Sequence, residues 1–131
     1  HNRTHSFPTR RSSDLGELPI LVSEEDLLRV FLNLIENAYK AMDSKGFLTL
    51  KTKKMENKAI AIVSDTGCGI PKDKIDKIWR PDFTNWKNAT GTGLGLMICR
   101  KVIENSSATI TVKSEVDVGT EFILEFDLAK E

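Results

Sequence analysis

The chain has 131 residues, 40% of them apolar and 29% charged, enough for one domain with a single core and too few for two. Nineteen basic and nineteen acidic residues balance to zero, so no global field argues for nucleic acid or an anionic membrane surface as partner. No apolar run approaches the roughly 18 residues that span a bilayer, and Cys68 and Cys99 are isolated, which fits a reducing, cytoplasmic setting without a disulfide framework or a zinc site.

Residues 1–15 (HNRTHSFPTRRSSDL) are polar, basic and without period, and they lack the apolar middle of a signal peptide. The run from Ser6 to Leu15 looks like the translation of a common sequencing-library adaptor, which would make the chain a gene fragment fused to an artefact. A natural basic linker is the other reading. Both predict a disordered tail without chemistry. The two histidines of the chain, His1 and His5, lie in it.

After a short extended piece at 18–22, Ser23 with Asp26 three residues on resembles a capping box. Leu27, Val30, Phe31, Leu34, Ile35, Ala38, Ala41 and Met42 then recur at steps of three and four, predicting an amphipathic helix of roughly 19 residues. A second stripe, Asn33, Glu36, Asn37 and Lys40, shares one face. It reads as a solvated face with a Glu36–Lys40 pair one turn apart. Asparagine is a poor helix former, however, and its amide oxygen is a good ligand for a hard cation such as Mg²⁺. Lys40 would then be a point charge for a phosphate.

Residues 48–53 alternate, with Leu48 and Leu50 inward, and predict a half-buried strand; residues 55–58 make a hairpin connection. Residues 59–64 are apolar on both faces, a central strand that delivers Asp65 to the end of the sheet. Asp65-Thr66-Gly67-Cys68-Gly69-Ile70-Pro71 follows. An ionised carboxylate only accepts, so Asp65 needs a donor, and the exocyclic amino group of a base would serve. Gly67 and Gly69 would let backbone approach a planar ligand. A tight turn in which Asp65 caps its own backbone is the alternative. Residues 71–78 predict a short charged helix with Pro71 in its first turn. Residues 79–90 (WRPDFTNWKNAT) read either as a loop that folds over a ligand or as a packed surface loop.

Gly91-Thr92-Gly93-Leu94-Gly95-Leu96 opens the helical pattern Leu96, Ile98, Cys99, Val102, Ile103. Glycines there present bare N–H groups and the positive end of the helix dipole, a phosphate site. No Gly-Lys-Ser/Thr follows, so this is not a Walker loop, and it does not follow a strand as the dinucleotide fingerprint requires. Residues 108–114 and 120–128 alternate around a turn at 115–119, predicting an antiparallel hairpin on the central strand. Thr120 would join Asp65 if their strands are neighbours.

These stretches, in this order, resemble the ATP-binding catalytic domain of bacterial sensor histidine kinases, within the superfamily shared with gyrase B, Hsp90 and MutL. Asn33-Leu-Ile-Glu-Asn37-Ala is similar to the family's N box, Asp65-Thr-Gly67-Cys-Gly69-Ile to its G1 box, and Gly91-Thr-Gly93-Leu-Gly95-Leu to its G2 box. Gly119-Thr120-Glu-Phe122 fits as well, and the match covers residues 18–128. The resemblance implies an α+β two-layer sandwich, with a mixed, mainly antiparallel sheet of about five strands backed by three helices. It implies that Asn37 ligates Mg²⁺ and that Asn33 and Lys40 contact phosphates. Asp65 would accept from the adenine amino group directly and through water, with Gly67 and Gly69 flanking the base and Thr120 helping to hold the water. Gly91, Gly93, Leu94 and Gly95 would wrap the phosphates as a lid, and Ile70, Thr92 and Leu96 complete the ATP-binding set.

Pro81-Asp82-Phe83-Thr84 departs from the family's usual Pro-Phe-Phe-Thr, and Asn105-Ser106-Ser107-Ala108 replaces a His-Gly-Gly-like turn. The resemblance further implies transfer of the ATP γ-phosphoryl group to a histidine on a separate dimerisation domain, and then to a response regulator. No histidine followed by Glu and Pro occurs here, so the expectation is a chain that binds Mg·ATP and does not phosphorylate itself. Transfer of this kind needs positioning and charge neutralisation more than covalent help. Glu36 is the candidate general base, for an imidazole or a water. The rival readings are a serine kinase of the anti-sigma-factor type, a nucleotide-binding module without transferase activity, and a MutL-like ATP-hydrolysing clamp.

Overall fold

The computed structural model describes residues 5–6, 19–20, 22–43, 45–80 and 95–128. His5–Ser6 (β1) pairs antiparallel with Pro19–Ile20 (β2) as a two-stranded sheet. Helix α1 spans Glu24–Met42 and begins where the sequence signals it. The Ser23 hydroxyl accepts from the Asp26 N–H at 3.1 Å, and Glu24, Glu25 and Asp26 set negative charge against the positive end of the helix dipole. Asp43, in the left-handed conformation at φ 50°, ends it.

Four strands follow: β3 (Leu48–Met55), β4 (Lys58–Asp65), β5 (Thr109–Glu115) and β6 (Gly119–Asp127). They lie in the order β3-β4-β6-β5 with every neighbour antiparallel. Helix α2 (Gly95–Asn105) packs beside α1, and the two form the second layer. Leu27, Val30 and Leu34 of α1 and Leu96, Cys99 and Ile103 of α2 meet Ala59, Ala61 and Val63 of β4 and Phe122, Leu124 and Phe126 of β6 in one core. No described helix is long and apolar enough to cross a membrane.

The α+β sandwich is as expected, with differences of detail. Among the described residues the main sheet has four strands, not five, and is wholly antiparallel rather than mixed; the helices number two, not three. The third predicted helix, at 71–78, is a run of tight turns around a 3₁₀ segment at Ile75–Lys77. Its N–H groups bond three residues back, Lys74 to Pro71 at 2.9 Å and Lys77 to Lys74 at 2.9 Å, so the α ladder never starts. Strand β3 is not half-buried. Leu50 lies on the helix side of the sheet, opposite Val63, yet is 54% exposed, because α1 packs mainly over β4 and reaches this edge strand too little to cover it. Trp79, the first residue of the segment read either as a loop over a ligand or as a packed surface loop, is packed: its ring meets Phe122 edge-on at 6.2 Å, and the Arg100 guanidinium lies 5.4 Å over it.

Candidate functional site

Strand β4 carries apolar side chains to both faces and ends on Asp65, which pairs with Thr120 at the start of β6. Asp65 is 7% exposed and Thr120 6%, the buried polar side chains of the described core. The Gly67 N–H donates to Asp65 Oδ1 at 2.8 Å, and the Thr120 N–H also stabilises the ionised form. Burial outweighs both and raises the Asp65 pKa above its ordinary 3.8. Among the described residues no cation pairs with it. Asp65 caps its own turn through Gly67, the alternative the sequence offered, and among the described residues it is a buried acceptor with no cation beside it.

The glycines of this turn spare the protein's own backbone. A Cβ on Gly67 would lie 2.7 Å from the backbone carbon of Ala41, near the C-terminal end of α1. Gly69, at φ +74°, would set its Cβ against the Glu115 carbonyl oxygen. The turn is fastened on both sides. The Cys68 N–H donates to the Ala41 carbonyl at 3.0 Å, and the Asp117 N–H donates to the Cys68 carbonyl at 2.8 Å. Ile70 is buried in the core and its N–H donates to Ser114 Oγ at 2.7 Å.

Ala41 is one helical turn beyond Asn37 and two beyond Asn33, so the α1 polar face leads from the Asp65 turn toward α2. A Cβ on Gly95, the first residue of α2, would meet Asn33 Oδ1 at 3.4 Å. Asn33 also bonds the Cys99 thiol, whose pKa burial pushes up to about 12, and that thiol donates to the Val30 carbonyl at 3.6 Å. The Asn37 side chain places its Nδ2 in the interior with no hydrogen-bond partner, an orphan donor of the kind that costs about 1–3 kcal/mol when left unmade. Lys40 and Glu36 form an ion pair at 3.0 Å, with Glu36 the more exposed partner. From Asn33 to Ala41 is about 12 Å along the helix axis, a span suited to an elongated ligand with one end at Asp65 and the other at α2.

Of the residues singled out from sequence, the structure brings together Asn33, Asn37, Lys40 and Glu36 on α1, Asp65, Gly67, Gly69 and Ile70 on the turn, Thr120 on β6 and Gly95 on α2. Leu96 is a core residue at 6% exposure. Gly91, Thr92, Gly93 and Leu94, with most of the 79–90 segment, lie outside the described residues. The contacts of Ala41 and Ser114 with the Asp65 turn escaped sequence reading, which placed the two only in a helix and a strand. Ser114 occupies the inward phase of β5 after Ile110 and Val112, and a polar residue in that phase is the signal that could have found it.

The family model of histidine kinase-, DNA gyrase B- and HSP90-like ATPases matches residues 22–130. A putative sensor protein of Shewanella frigidimarina is 34% identical over 108 residues, covering 82% of this chain and 16% of its own length. Sporulation kinase C of Bacillus subtilis is 34% identical over 99 residues, covering 76% of this chain and 23% of its own. The chain thus spans under a quarter of these two curated relatives. Among solved structures, a nucleotide-free form of the catalytic domain of histidine kinase ThkA superposes with a TM-score of 0.75 at 32% identity, covering 88% of this chain and 74% of that one.

Proposed function

Because the chain belongs to the family of histidine kinase-, DNA gyrase B- and HSP90-like ATPases, we propose that it is the ATP-binding catalytic domain of a sensor histidine kinase, donating the γ-phosphoryl group to a histidine on a separate dimerisation domain. One observation carries the reading: Asp65 is a buried carboxylate with its pKa raised by desolvation, held by two N–H groups and, among the described residues, no cation. Such a group is costly unless a ligand donor completes it. The exocyclic amine of adenine is a donor at the matching position, where guanine presents a carbonyl.

Asn33 and Lys40 of α1, with Gly95 at the α2 N-terminus, are assigned to the phosphates. Lys40 would exchange its Glu36 partner for a phosphate oxygen, which leaves Glu36 able to polarise an incoming imidazole. Thr120 is assigned to a water beside Asp65, Gly67 and Gly69 to the base, and Gly91, Thr92, Gly93 and Leu94 to the phosphate lid. Ile70 and Leu96 support the site from the core.

The donor set suits Mg²⁺. Among the described residues no cluster of three or more His, Cys, Asp or Glu could hold a metal alone. Asn37 offers one hard oxygen; the orphaned atom of its amide is the donor Nδ2, which takes no part in holding a cation. Mg²⁺ is commonly held by one or two protein oxygens with phosphates and water completing the shell. When bound it would neutralise charge on the phosphates. Asn37 itself would hold and orient.

The similarity to the catalytic domain of histidine kinase ThkA, with relatives named as a sensor protein and a sporulation kinase, supports a histidine acceptor over the serine-kinase alternative, and a downstream response regulator belongs to the same reading. A cytoplasmic location belongs to the same reading. The test is to mix the chain with labelled Mg·ATP and a histidine-bearing dimerisation domain from one of these relatives. Phosphohistidine on the added domain, and none on this chain, is expected. A folded chain that binds no ATP in calorimetry overturns the reading, and label on serine moves it to the rival class.

A further inference from the structure

Ser114 lies one residue before the end of β5, outside every glycine-rich stretch. Its hydroxyl accepts from the Ile70 N–H at 2.7 Å, lies within donating reach of the Gly119 carbonyl at 3.0 Å and stands 2.8 Å from Thr120 Oγ1. One hydroxyl thus joins the last residues of the Asp65 turn to the first two residues of β6. Its surroundings are equally specific. Thr120 is opposite both Asp65 on β4 and Ser114 on β5, so the three residues form one row across the end of the sheet.

A hydroxyl has one proton and two acceptor sites. Ser114 spends one acceptor site on Ile70. Its proton goes either to the Gly119 carbonyl, with Thr120 then donating to Ser114, or to Thr120 Oγ1, which frees the Thr120 proton for the cleft. The direction of the Thr120 hydroxyl is therefore set by Ser114. The same atom fixes how far the Gly69–Ile70 segment stands from Thr120. A strand-end serine that only filled space would need neither bond.

The structure assigns Ser114 as the positioning residue of the adenine end: it orients the Thr120 hydroxyl and holds the Asp65 turn at the distance from β6 that a purine edge requires. This rests on the nucleotide reading above. Ser114 acts through Thr120 and Ile70.

The test is calorimetric titration of Mg·ATP into the whole chain and its variants, with circular dichroism to establish folding. Ser114→Ala is expected to weaken ATP binding about tenfold, the effect of one to two hydrogen bonds. Ser114→Thr, which keeps the hydroxyl, is expected to stay within about twofold by the same measure. In a Thr120→Val background, Ser114→Ala should cost less than it does in the unmutated chain, with only the part carried through Ile70 remaining, because residues acting as a unit are non-additive. If Ser114→Ala does not fold, Ser114→Cys takes its place, a weak donor and acceptor expected to lose binding similarly. Unchanged ATP affinity in the alanine or cysteine variant, or a full and independent loss in the Thr120→Val background, overturns the role of Ser114 and leaves the nucleotide reading intact. No binding by the folded, unmutated chain overturns both.

Discussion

Asp65 and Thr120 are cross-strand partners at the end of the β4–β6 ladder, and the backbone N–H of Thr120 helps to hold a carboxylate that burial drives toward protonation. A carboxyl group whose folded pKa is raised destabilises the fold when ionised. It makes no difference in acid, where it is protonated folded and unfolded, and stability declines as pH rises from the ordinary 3.8 through the raised value. Asp65→Asn should therefore melt at or above the temperature of the unmutated chain at pH 7, with the advantage vanishing below about pH 4. ATP binding should fall by about 10- to 100-fold, the scale of a hydrogen bond to a charged acceptor. Melting curves at several pH values and calorimetry check the two halves separately. A variant destabilised at pH 7 would contradict the account of burial.

Asn37→Ala tests the polar face of α1. Removing an amide with an orphaned, buried nitrogen should leave stability unchanged or raise it by about 1 kcal/mol. The Mg²⁺-dependent part of ATP affinity should disappear. Loss of stability without loss of the magnesium effect would show the amide to be structural.

Two glycines should behave oppositely. Gly69→Ala places a Cβ against the Glu115 carbonyl at a φ of +74°, and should cost about 1–3 kcal/mol. Gly95→Ala meets Asn33 Oδ1 at an ordinary 3.4 Å at the start of α2, and should change stability by less than about 1 kcal/mol. Chemical denaturation of both variants measures the contrast.

The two thiols should separate in alkylation. Cys99 is fully buried with its pKa near 12, so a maleimide at pH 7.5 (about one unit below a free thiol's pKa) should reach it only after unfolding. Cys68 is exposed and should react in the folded chain, though slowly, since partial burial and the nearby Asp65 and Asp117 raise its pKa. Mass spectrometry after timed labelling reads both.

Much of this was legible in the residues. The three-and-four spacing from Leu27 to Met42 gave α1 and its Ser23 cap, and alternation from Ala108 onward gave the β5–β6 hairpin and the meeting of Thr120 with Asp65. What alternation cannot say is whether anything covers the apolar face it identifies. Leu50 was assigned inward correctly as to side, yet α1 reaches it too little to cover it. Spacing is equally silent on chain direction after Pro71, where backbone bonds closed three residues back instead of four. Nor can sequence tell whether a glycine makes room for a ligand or for its own chain. Gly67 and Gly69 make room for Ala41 and Glu115.

A hairpin turn is usually where a polypeptide accepts inserted residues most readily. The turn between β5 and β6 is an exception. It supplies the Asp117 N–H that holds Cys68, the Glu115 carbonyl against which Gly69 packs, and the Gly119 backbone that lies against Asp65. A peptide tag or reporter spliced into residues 115–119 would thus displace the Asp65 turn, and under the proposed reading disturb base selection, without altering any residue of the three glycine and asparagine boxes.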